Sequence, residues 1–201
     1  MKFEDFKLNP DWDSQIIKTY ECFYNEIWEG NEYTRFGLDI NEGDVVVDLG
    51  GSIGLFAHFA INRGANIVYS FEANPDVFNY LKLNVNQSNI IPINGFISNK
   101  SNDNFYNLKK IFTTFNLDKV DFMKIDIEGH EFDFILDANV DYLNKVSKFA
   151  IEVHMWGMYE NKAEQFIKLV KVMEKFSLNG FKINIEHVHK QYNIYMLYIL
   201  K

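Results

Sequence analysis

Two rhythms of apolar residues run along the chain. In the first, β-branched and aromatic residues gather in short runs: residues 45–49 ("VVVDL"), 67–71 ("IVYSF"), 90–93 ("IIPI"), 120–125 ("VDFMKI") and 148–153 ("KFAIEV"). Runs of this kind, bounded by turn residues, predict buried strands. In the second rhythm, apolar residues return at helical spacing. Residues 53–63 fit a helix stopped by Gly64. Asn74-Pro75 has the form of a helix start, an N-cap followed by proline at the first helical position. Val77, Phe78, Leu81 and Val85 then supply an apolar stripe. Residues 108–115 and 130–136 read as shorter helices, and 98–107 as a polar loop or small hairpin. Between 159 and 176, Ala163, Phe166, Ile167, Val170 and Met173 share one helical face, which predicts the packed side. Gly180 ends that helix. Residues 181–188 and 192–200 close the series as two strands joined around His189-Lys190-Gln191.

Strands alternating with helices imply a mostly parallel sheet with helices on both faces. The last two strands lie too close in sequence to be parallel neighbours, so the last one is expected to run antiparallel. The sheet then has seven strands in one domain spanning 1–201. The aromatic-rich residues 1–40 precede the first core strand and read as a helical extension or lid across the sheet edge.

Bulk composition narrows the chemistry. Of 201 residues, 47% are hydrophobic and 24% charged, enough for a full core. A formal net charge of -8 argues against a surface that tracks phosphates, and so against nucleic acid as partner. Cys22 is the only cysteine, which excludes an intrachain disulfide and suits a reducing compartment. The opening "MKFEDFKLNP" has acids where a signal peptide needs apolar residues. No apolar run approaches the roughly 20 residues of a membrane span. A cytoplasmic location is the expectation.

The first strand runs into a glycine-rich turn, "DLGGSIG". The spacing of Gly50, Gly51 and Gly54 fails the dinucleotide fingerprint. Asp48 at the strand end gives the turn a negative charge, which suits an ammonium or sulfonium ligand and opposes pyrophosphate. Glu72 ends the next strand, where its two oxygens are placed to accept both hydroxyls of a ribose. The combination resembles the class I S-adenosylmethionine (SAM)-dependent methyltransferases. "VVVDLGGSIGLF", "FEANPDVFNYLKLNV", "VDFMKIDIEGHEFDFIL" and "AIEVH" narrow the resemblance to the FkbM-type methyltransferases, over residues 43–154. Two departures stand out: Gly51-Ser52 replaces the more usual Ala-Asn, and Ala73 the usual Pro.

The resemblance implies a Rossmann-like fold and SAM as cofactor. Asp48, Gly50, Gly51, Ser52, Gly54, Glu72, Ala73, Asn74, Phe96 and Asp126 are its expected binding residues. It implies methyl transfer to a hydroxyl of a sugar, glycolipid or small natural product. The alternatives are N-methylation of a small molecule or protein, and a SAM-binding module without catalysis. The expected partner is a small-molecule or carbohydrate acceptor.

A second polar cluster lies in "KIDIEGHE" and "IEVH". Side chains two apart on a strand share a face, so Lys124 groups with Asp126 and Glu152 with His154. In the simplest register Lys124 meets Glu152 as a structural ion pair. Asp126 then meets His154 at the carboxyl edge, where open α/β sheets bind ligands. His154 is the expected general base, oriented by Asp126, with Glu128 as a further catalytic contact. Glu131 is expected to favour the N-terminus of the helix after it. His130 is read as exposed or facing the substrate, His58 as packed, and His187 and His189 as solvated. No ligand spacing is distinctive enough to predict a metal.

Overall fold

The computed structural model describes residues 1–85, 89–98, 104–155 and 162–201. Strands β1 (Val45–Leu49), β2 (Ile67–Glu72), β3 (Ile90–Asn94), β6 (Val120–Ile125), β7 (Val146–His154), β8 (Lys182–His189) and β9 (Ile194–Leu200) form one seven-stranded sheet. Its order is β3-β2-β1-β6-β7-β9-β8. All pairs are parallel except those of β9, which runs antiparallel to both β7 and β8. Two short strands, β4 (Phe96–Ile97) and β5 (Phe105–Tyr106), pair separately. Residues 99–103, within the segment read as a loop, lie outside the described residues, as do 159–161 at the start of the last helix read from the sequence.

Helices cover both faces, as the alternation requires. On one side α1 (Ser14–Trp28), α2 (Leu55–Asn62) and α3 (Pro75–Asn84) pack through Ile27, Phe56, Phe59 and Leu81. On the other, α4 (Leu108–Thr114), α5 (Glu131–Asp137), α6 (Val140–Leu143) and α7 (Lys162–Leu178) pack through Phe112, Phe134, Leu143 and Leu169. The central strands are buried on both faces, and Met196 to Ile199 of β9 are fully enclosed.

Two expectations need correction. The packed stripe of α7 is Gln165, Leu169, Val172 and Phe176, whereas Phe166, Ile167 and Val170 are exposed. This helix is apolar on more than one face, so periodicity alone does not choose the side that meets α5 and the sheet. The N-terminal segment is also placed differently. Its body lies over α2, where Phe6, Tyr24 and Trp28 pack on the core, while Tyr20 and Tyr33 reach the carboxyl edge of the sheet.

Candidate active site

The carboxyl ends of β1, β2, β6 and β7 gather the polar residues. Beneath them is a buried charge pair. The Asp48 side chain is fully enclosed, and Lys124 Nζ lies 3.3 Å from its Oδ1 and 3.3 Å from Asp126 Oδ2. Lys124 also donates to the Gly50 carbonyl at 2.6 Å, and Ser70 Oγ donates to Asp48 Oδ2 at 2.7 Å. Burial alone would lower the lysine's proton affinity. The charges of Asp126 and Asp48 outweigh it and hold the group above its ordinary value. Lys124 is opposite Ala150, not Glu152, because β6 and β7 pair two residues out of the simplest register. The expected Lys124–Glu152 pair is therefore replaced by Asp48–Lys124–Asp126. The charge of Asp48 is answered inside the protein and is not presented to a ligand.

The glycine turn sits directly above. Gly50 has φ +87°, and a Cβ there would come 1.7 Å from the Asp126 carbonyl oxygen. At Gly51 it would come 2.1 Å from Ser70 Oγ. The protein's own packing thus demands both glycines. Ser52 is left-handed at φ +50°, an uncommon conformation for a residue with a side chain. It turns the Ser52 N–H toward Glu72 Oε2, 2.9 Å away, while the Asn74 N–H donates to Glu72 Oε1 at 2.8 Å. Burial raises the Glu72 pKa against the pull of these two donors. Tyr20 of α1 meets the Ser52 side chain and feels the charges of Glu72 and Glu128. Trp12 stacks on Tyr20 at 4.7 Å.

Farther along the edge, Tyr33 reaches in from the loop after α1. Its hydroxyl is 2.7 Å from Glu152 Oε2 and 3.2 Å from Asp126 Oδ2. One phenol proton serves one acceptor at a time. When Glu152 is protonated it donates to Tyr33, and Tyr33 donates to Asp126. Burial, then the charge of Asp126, push the Glu152 pKa up to about 8. His154 stands at the end of β7, almost buried. Its Nδ1 donates to Glu131 Oε1 at 3.1 Å, and its Nε2 lies 3.6 Å from Glu152 and 3.7 Å from Glu128. Burial opposes protonation of this ring, but the hydrogen bond and charge of Glu131 raise its pKa to about 9.

This geometry revises the sequence reading. Glu131, not Asp126, orients His154. The same Glu131 oxygen also accepts from the Ile127 and Gly129 N–H groups, at 3.1 and 2.9 Å, and so shapes the turn in which Glu128 is left-handed. The raised pKa favours the protonated ring, a hydrogen-bond donor, where the sequence led us to expect a neutral base. Asp126, Glu128, Glu152 and His154 do converge. Gly54 and Ala73 lie along the turn and after β2, and the Asn74 side chain is spent capping α3. Phe96 is half exposed and stacks on Phe105 at 5.5 Å. His58 is buried, as expected. Tyr33 and Tyr20 went unnoticed in the sequence. Their one signal was the density of aromatics in residues 1–40.

Fold and site together define a class I, Rossmann-like methyltransferase architecture. Solved structures of similar fold include fibrillarin from Aeropyrum pernix with natively bound S-adenosyl-L-methionine. It is 16% identical, with a TM-score of 0.61 over 88% of this chain and 75% of that one. A putative rRNA-methylase from Clostridium thermocellum is 13% identical, with a TM-score of 0.59 over 86% and 96%. The precorrin-6y C5,15-methyltransferase of Geobacter metallireducens GS-15 is 12% identical, with a TM-score of 0.56 over 100% and 97%. Within that class the chain resembles the FkbM methyltransferases. Residues 104–183 match the family model described as methyltransferase FkbM domain. A 65-residue stretch is 39% identical to the 31-O-demethyl-FK506 methyltransferase FkbM of Streptomyces tacrolimicus, covering 32% of this chain. The matched stretch spans 25% of that relative's length.

Proposed function

We propose that the chain is a SAM-dependent O-methyltransferase acting on a hydroxyl of a sugar, glycolipid or small natural product. The observation that carries this reading is the row of carboxylates, Glu72, Glu128, Asp126 and Glu152, along one sheet edge beside the glycine turn. Among the described residues that row faces two cations, Lys124 and His154, so the edge favours a positively charged ligand. The residues present also suit the cofactor in detail. Each Glu72 oxygen takes one backbone N–H and keeps a lone pair for a ribose hydroxyl. When bound, SAM supplies a methyl group on a positively charged sulfur. Asp126 and Glu128 stabilise that charge, and Glu72 fixes the nucleoside.

Glu152 is assigned the proton of the acceptor hydroxyl. A carboxylate whose pKa lies near working pH combines an available basic form with the greatest driving force. Tyr33 holds Glu152 against Asp126 and passes hydrogen-bond polarity between them. The His154 imidazolium, fixed by Glu131, stabilises the Glu152 carboxylate beside it. Holding the acceptor oxygen in line supplies most of the remaining advantage.

The acid excess also favours an ammonium-bearing acceptor, so N-methylation is the second reading. Methyl-labelled SAM, offered with parallel panels of alcohols and amines, separates the two. The expected result is label in a hydroxyl acceptor. Glu152→Gln should slow transfer by about 10²–10⁴-fold, the usual range for a general base. Label only in amines would select the second reading, and binding without transfer would reduce the chain to a SAM-binding module.

A further inference from the structure

Away from the sheet edge, three side chains converge where the N-terminal segment meets the β8–β9 hairpin. Glu26 belongs to the last part of α1, Glu32 to the loop that follows, and His189 to the end of β8. The His189 Nε2 is 3.4 Å from Glu32 Oε1 and 3.6 Å from Glu26 Oε1. All three donor atoms lie within 4.8 Å of one another. These separations exceed the roughly 2.7–3.2 Å of an N–H···O hydrogen bond. They come within a few tenths of an ångström of the spacing around a small divalent ion. In a tetrahedral site, bonds of about 2.0–2.2 Å to nitrogen and oxygen set neighbouring donors about 3.3–3.6 Å apart.

Two further observations point to a ligand. The Glu32 side chain is only 6% exposed, yet among the described residues no hydrogen bond reaches its carboxylate. Its neighbour Arg35 is committed elsewhere, to Glu186 at 2.9 Å and the Gly30 carbonyl at 3.1 Å. A cavity of about 230 Å³ opens here, bordered by Glu26, Glu32, Arg35, Glu186, His187 and His189. The His187 Nε2 on its wall is buried and, among the described residues, has no hydrogen-bond partner. Two acids and an imidazole are therefore brought together at the wall of one cavity.

We propose that Glu26, Glu32 and His189 bind a divalent transition-metal ion, with Zn²⁺ as the favoured occupant. An imidazole nitrogen beside two carboxylates disfavours Mg²⁺ and Ca²⁺, which take oxygen ligands. Three protein ligands leave a position open to water. The ion joins the N-terminal segment to the hairpin next to Tyr33, whose preceding residue is the ligand Glu32. The Glu32 carbonyl is already held there by the Tyr198 hydroxyl at 2.8 Å. The site is separate from Asp126, Glu152 and His154, a second group of metal-ligating type, and independent of the methyl-transfer reading.

The test is calorimetric titration of the full, metal-stripped chain with ZnCl₂. It is repeated on His189→Gln and Glu26→Gln, both at partly exposed positions, and on Glu152→Gln. The expected result is saturable binding that weakens at least tenfold in the first two variants and is unchanged in the third. The melting temperature should rise with Zn²⁺ in the wild type and not in His189→Gln. Absence of saturable binding would overturn the site. So would binding that survives both His189→Gln and Glu26→Gln, or binding lost in Glu152→Gln.

Discussion

Lys124 shows how one side chain sets the level of the whole edge. It neutralises Asp48 from below and tethers Asp126 from the side, and its third contact fixes the Gly50 carbonyl. Lys124→Met removes all three at once and strands a fully enclosed carboxylate. Breaking a buried pair from one side typically costs about 3–5 kcal/mol. Urea melts should show a loss of that order, and adding Asp48→Asn should recover part of it, because the two residues are coupled. A Lys124→Met protein as stable as wild type would mean that Asp48 is already neutral in the fold. The residue types of this site were readable from "KIDIEG" and "IEVH", and so was the face each shares. Partner identity was not. Alternation tells which residues point the same way on one strand but not how two strands slide past each other. Here a shift of two residues moved Lys124 from Glu152 to Ala150. Glu131 was hidden for a related reason: its place at a helix start gave it a sufficient local role.

At the scale of elements, local signals served best where backbone chemistry decides alone. Asn74-Pro75 begins α3 as the sequence implied, with Asn74 Oδ1 accepting from the Asp76 and Val77 N–H groups at 2.9 and 3.3 Å. They served worst where tertiary packing chooses between equivalent faces, as on α7. The first helix is the informative case, because its position over α2 carries Tyr20 to Ser52 and stacks Trp12 outside it. On the proposed reading, a nucleoside enters between Glu72 and Glu128 and displaces that pair. S-adenosylhomocysteine should therefore change tryptophan emission in the wild type, and the change should vanish in Trp12→Phe. An unchanged spectrum, with binding verified by calorimetry, would mean that α1 is not the lid anticipated for residues 1–40.

For the molecule as a whole, the titrating groups of the edge predict a direction of pH dependence. The His154 pKa of about 9 stands above its ordinary value of 6.5. Its stabilisation is fully present below about pH 6.5 and is lost as pH rises through about 9. Glu152, raised from 4.5 to about 8, acts in the same sense, since its contribution disappears as pH climbs across that interval. Urea midpoints should accordingly fall between pH 6 and pH 9. Glu131→Gln should bring the His154 ring back toward ordinary titration, read from its ring-proton NMR shifts, and should flatten the curve. A midpoint that rises toward pH 9 would contradict the arrangement of charges described above.

The position of β9 has a consequence for how the molecule is made. Of the described strands this one is made last, yet it sits between β7 and β8 and contributes some of the most deeply enclosed residues. A nascent chain that has emerged only as far as β8 carries two unsatisfied strand edges and an uncovered apolar floor. Such edges are templates for pairing with other chains. The sheet closes only when residues 194–200 have emerged, because β9 must pair with its hairpin neighbour β8 and with β7 earlier in the chain. A chain interrupted before Ile194 is thus not a slightly shortened protein. It is an open sheet, exposed to aggregation until a chaperone or a protease removes it.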